Sequence, residues 1–105
     1  MSQSTLVSKA FQAFMTEAPQ HAQAWGEVVQ GLAKASALDA KTAELAYLAA
    51  LAAVRLESGI PFHVRSAKEA GASRQEVISA ILVGLPVAGH GVTQALPAAL
   101  AAYDA

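Results

Sequence analysis

The chain contains no cysteine among its 105 residues. That single absence removes disulfides, thiolate metal sites and thiol nucleophiles together. It leaves the compartment open, because a cysteine-free chain is stable in either redox environment. Charge is scarce as well. Only 14% of the residues are Asp, Glu, Lys or Arg and the formal net charge is -1, against roughly 25% charged residues in an average soluble domain. Lys and Arg are scattered singly apart from the modest cluster Arg65 to Lys68, so the electrostatic footprint of a nucleic-acid-binding protein is missing. Strand alternation is missing too, as is any Asn-Gly or Asp-Gly hairpin signal. The stretch Met1 to Met15 lacks the basic start and continuous apolar run of a signal peptide. The two long apolar runs, Leu45 to Val54 and Val77 to Gly89, fall short of the roughly 20 residues that span a bilayer. They are expected to be buried helices of a soluble, cytoplasmic protein with no membrane and no nucleic-acid partner.

What is present is alanine and aliphatic side chains, with 54% of residues hydrophobic. A single small domain, residues 1–105, has much surface to cover and too little charge to cover it. Part of the apolar surface is therefore expected to be buried against other copies, in a homo-oligomer. The pattern is all-α, with about six helices and two long ones packed as a central antiparallel pair. The first helix is expected from Ser4 to Glu17 and the second from Pro19 to Ala35, where Trp25, Val28, Val29 and Leu32 recur at i, i+3, i+4 and i+7. Asp39 is a good N-cap for a third helix running to about Glu57. Between Leu45 and Val54 that helix carries no charge on any face, so it is expected to be surrounded. Ser58 to Pro61 breaks the chain, and a fourth helix from Phe62 stops at Gly71. Ser73-Arg-Gln-Glu76 reads as a capping box for a fifth helix that bends near Pro86. A last helix, with Pro97 inside its pattern, runs from about Val92 to Tyr103.

Leu38-Asp-Ala-Lys-Thr-Ala-Glu44-Leu, then Phe62-His63-Val64, then Ala67-Lys-Glu-Ala-Gly71-Ala-Ser-Arg-Gln-Glu76-Val-Ile resemble the carboxymuconolactone decarboxylase and alkylhydroperoxidase AhpD-like family. The C-terminal Ala102-Tyr103-Asp104 is similar as well. The resemblance implies an AhpD-like helical domain assembled as a trimer or hexamer. In the peroxidase branch of that family a glutamate, a Cys-x-x-Cys pair and a histidine form a proton relay that deprotonates a thiol. The matching positions here are Glu44, Leu56, Gly59 and His63, so the acid and base remain and the redox pair is gone. The decarboxylase branch also lacks the cysteines and keeps the histidine, but it does not carry a glutamate at the position of Glu44.

Glu44 and His63 are thus the candidate catalytic residues for acid–base chemistry without a cofactor. Each has a plainer reading: Glu44 as a first-turn carboxylate favoured by the helix dipole, His63 as a packed, hydrogen-bonded histidine. Ser58 and Gly59, with the N–H of Ile60, offer a candidate ligand-binding pocket for an anion at a helix N-terminus. Glycine in place of a cysteine would leave extra volume there. Ser58 otherwise reads as a cap. His90, between two glycines, is a further ligand-binding candidate or a solvated loop histidine. No spacing recommends it as a metal ligand, so no metal is expected. Trp25 and Tyr47 fit a pocket wall or the core. Arg55 shares a helical stripe with Glu44, Leu48 and Leu51, facing an anionic ligand, a neighbouring copy or solvent. Two functions follow. One is an enzyme doing decarboxylase- or lactone-type chemistry on a small carboxylated metabolite. The other is a non-catalytic ligand-binding or assembly module. Fold analogy alone does not choose between them.

Overall fold

The computed structural model describes residues 7–105, and every regular element among them is helical. Helix α1 spans Lys9–Glu17, α2 Pro19–Ala35, α3 Ala40–Ala53, α4 Ile60–Glu69, α5 Arg74–Leu82, α6 Leu85–Ala88 and α7 Leu96–Asp104. Short 3₁₀ segments cover Glu57–Gly59 and His90–Ala95. The expected beginning of the first helix at Ser4 lies outside the described residues. Within them α1 starts at Lys9, capped by the Ser8 hydroxyl accepting from the Phe11 N–H at 3.1 Å.

The capping signals in the sequence act as their chemistry dictates. The Asp39 carboxylate accepts from the Thr42 N–H at 2.8 Å and starts α3. Ser73 and Glu76 cap each other's backbone at 3.0 and 2.8 Å and start α5. The expected fifth helix divides in two: Gly84 interrupts it, and Pro86 sits in the first turn of the short α6, where its missing N–H costs nothing.

The third helix ends earlier than its apolar run suggests. It stops at Ala53, and Arg55 takes a left-handed conformation with φ 62°. The Leu56 N–H returns to the Leu51 carbonyl at 2.9 Å and the Arg55 N–H to the Ala52 carbonyl at 3.3 Å, which is a Schellman stop. Helix α4 ends the same way, with Gly71 at φ 98° and the Ala72 N–H bonded to the Ala67 carbonyl at 2.9 Å. Glycine makes the second stop cheap; at Arg55 the same turn carries a side-chain penalty.

The core is aliphatic. Leu48, Ile60, Val64, Val77, Ile81 and Val92 are its largest fully buried side chains. Helix α3 packs against α4 on one side and α5 on the other, and α4 packs against α7. Leu51 near the end of α3 faces Gly59 just before α4, and Glu44 near its start faces His63, so α3 and α4 are the antiparallel pair. Lys41 bonds Glu76 at 2.9 Å between first turns, so α5 runs alongside α3 in the same direction. Polar contacts fasten α7 to this frame. The Tyr103 hydroxyl donates to the Ala72 carbonyl at 2.7 Å, Lys68 donates to the Tyr103 carbonyl at 2.7 Å, and Arg74 grips both Asp104 oxygens at 2.9 and 3.0 Å.

One expectation about burial changes. Helix α3 is not surrounded: Leu48, Leu51 and Ala52 are buried, whereas Ala46, Tyr47 and Ala50 are exposed. Its open side and α5 form a shallow groove lined by Leu45, Ala46, Ala49, Ala80 and Val83 among others. Helices α1 and α2 pack chiefly on each other, and neither contains a buried residue.

Candidate functional site

Glu44, Tyr47, Leu48 and Leu51 fall on one stripe of α3 at i, i+3, i+4 and i+7. Leu48 and Leu51 anchor the stripe in the core, which turns Glu44 and Tyr47 toward the first turn of α4. There His63 Nδ1 meets Glu44 Oε2 at 3.0 Å. Both side chains are about a quarter exposed, 23% for His63 and 28% for Glu44. The Tyr47 ring stacks on the imidazole with centroids 4.2 Å apart and planes 23° apart. The Phe62 ring meets it edge-on at 5.2 Å. The imidazole is therefore held by one hydrogen bond and two rings. An ionised carboxylate only accepts, so the bond places a proton on Nδ1 and, in the neutral ring, a lone pair on Nε2. Glu44 lies beyond the first turn of α3 and is engaged by His63, so the plain helix-dipole reading does not describe it.

His63 borders a cavity of about 490 Å³ between the α1–α2 hairpin and the α3–α4 pair. Phe11 and Phe14 of α1, Trp25 of α2, Tyr47 and Leu51 of α3, and Leu56, Ser58, Gly59 and Phe62 of the following turn and helix contribute to its wall. Glu44 is not part of the wall; it stands behind the histidine.

The other sequence candidates divide. Ser58 and Gly59 share the cavity wall with His63, but the expected anion cradle is largely spent. The Gly59 N–H donates to the Leu56 carbonyl at 3.1 Å, and the Ile60 N–H to the Glu57 carbonyl. Ser58 does not cap α4, which begins without a side-chain cap. Nor does Gly59 leave extra volume: a β-carbon there would come within 3.2 Å of Leu51 Cδ2, so the leucine fills the space. His90 is exposed at the start of the second 3₁₀ segment and is not in the cavity wall. Arg55 leaves the Glu44 stripe because the left-handed turn swings it away; it grips Glu57 at 3.0 Å and lies against Gly91. Leu56, at the first of the two cysteine positions, is a wall residue, and so are Phe11 and Phe14, which lie outside the family motif. Their only sequence signal is the i, i+3 pair of phenylalanines in the first helix.

The model of the carboxymuconolactone decarboxylase family matches residues 19–104. The chain belongs to that family. It is a cysteine-free member, and the matched span contains Glu44 and His63. Comparison with curated proteins and with solved structures finds no match.

Proposed function

We propose that this carboxymuconolactone decarboxylase family member is a cofactor-independent acid–base enzyme in which Glu44 and His63 move a proton on a small molecule held in the cavity. The observation that carries the reading is the 3.0 Å bond between His63 Nδ1 and Glu44 Oε2 at the wall of a ligand-sized space, within the usual volume range of small-molecule sites. Nε2 takes a proton from a carbon beside a carbonyl, and the C–H electron pair passes into that carbonyl as an enolate. Glu44 remains ionised and stabilises the imidazolium. The imidazolium returns the proton to the same or a conjugated carbon. Of the two chemistries the family suggests, lactone chemistry suits the cavity better than decarboxylation, since among the described residues no Lys or Arg lines it to hold a carboxylate.

The test is hydrogen–deuterium exchange at the carbon beside the carbonyl of dihydrocoumarin in deuterium oxide, followed by NMR. The wild type should catalyse exchange, and His63→Gln should lower the rate by roughly 10²–10⁴. Glu44→Gln should lower it by a smaller factor, because it orients the base and does not receive the proton. Equal rates for wild type and His63→Gln would end this reading.

The alternative of an assembly module is favoured by a different observation, the open apolar faces. Trp25, Val28, Val29 and Leu32 on α2 are 46–66% exposed, and contiguous apolar patches mark interaction surfaces. We propose that these faces join copies of the chain into the trimer or hexamer that the family resemblance suggests. Assembly and catalysis are compatible, since His63 and Glu44 come from one copy.

A further inference from the structure

The chain has three phenylalanines, one tryptophan and two tyrosines. All of them except Tyr103 line the cavity beside His63. The buried core contains no aromatic residue. Aromatic side chains normally dominate core burial; here they are withdrawn from the core and gathered around a space, with Phe11, Trp25 and Tyr47 still 40–50% exposed. Among the described residues the wall contains no Asp, Glu, Lys or Arg, and its polar side-chain groups are the hydroxyls of Ser8, Ser58 and Tyr47, the indole N–H of Trp25 and the His63 imidazole. The backbone N–H groups that would receive an anion at Gly59 and Ile60 are already bonded.

We infer that the ligand of this cavity is a neutral, planar, unsaturated ring compound with one polar group, held by the aromatic walls and oriented by His63. The inference rests on the cavity being the ligand site of the proposed function, and it replaces the carboxylated metabolite expected from sequence. Flat rings suit walls that offer ring faces and edges. A carboxylate entering the same space would shed water without meeting a fixed cation, a cost that binding must overcome.

Naphthol and naphthoate present one ring system with a neutral or an anionic group, and isothermal titration calorimetry of each against the full chain reads the preference. Naphthol should bind wild type tighter than naphthoate by about ten-fold or more. Leu56→Arg, at a half-exposed wall position, adds the missing cation and should erase or invert that preference. Trp25→Ala should weaken naphthol, and a circular dichroism spectrum like that of wild type shows that the variant is folded. Equal or tighter binding of naphthoate by wild type overturns the inference, as does failure of both probes to bind. His63→Ala should keep the naphthol preference while abolishing proton exchange. Preserved preference without any wild-type exchange would therefore sink the catalytic reading and leave the ligand class standing.

Discussion

Arg55 holds a conformation that L-residues other than glycine, asparagine and aspartate seldom adopt, with φ 62°. The turn it makes brings Leu51 and Leu56 together on the cavity wall, so a strained residue outside the wall shapes the site. Arg55→Gly should remove a left-handed penalty of about 1 kcal/mol and forfeit a surface ion pair worth at most about as much. Its urea midpoint should equal or exceed that of wild type, whereas Arg55→Ile should fall below both. Sequence legibility divides at the same point. Gly71 announces its stop because glycine is the residue that turn favours; Arg55 announces nothing, so the apolar run invites extension to Glu57. Likewise Glu44 and His63 are legible as a pair from the family spacing, while their stacking partner Tyr47 is legible only as a wall or core residue. The contact between Glu44 and His63 joins residues 19 apart, and no local rule encodes it.

The element ends carry the chain's most clearly directed electrostatics. The Thr42 backbone N–H holds the Asp39 carboxyl below its ordinary range. The Ser73 backbone N–H, helped by Lys41, does the same for Glu76. The Arg74 guanidinium does it for Asp104. Each folded pKa is depressed, so each contribution is fully present above the unfolded value and is lost as pH falls through the folded one. Through these three groups, melting temperature should therefore decline as pH passes about 4 and below. All three groups are on the surface, so added salt should shrink the effect. Ser73→Ala, which breaks the capping box, should cost about 1 kcal/mol of stability in a denaturant titration. Caps were the most legible feature because their chemistry spans three residues. The division of the expected fifth helix was less so. Gly84 and Pro86 each permit several local outcomes, and packing against the His90–Ala95 segment selects one.

At the scale of the molecule, alanine-rich helices let α3, α4, α5 and α7 approach closely around small side chains. The same composition leaves α2 and the α3–α5 groove apolar and open. The missing charge was legible from composition; which faces it would leave bare was not, because that depends on how the helices are arranged. Light scattering should give the mass of a trimer or hexamer for wild type, and Leu32→Glu, on the most exposed large apolar residue of α2, should shift it toward the monomer while leaving the far-ultraviolet dichroism unchanged. The hairpin of α1 and α2 meets the rest of the chain across the cavity, with no buried residue of its own. Its backbone amides can therefore exchange with solvent through a partial opening that leaves the α3–α4–α5–α7 frame closed. A molecule bridging Trp25 and Phe11 to Tyr47 and His63 closes that opening and slows exchange in α1 and α2 by a factor set by its concentration over its dissociation constant. Occupancy of a site on α3 and α4 would thus be recorded in the protection of two other helices, before any product is formed.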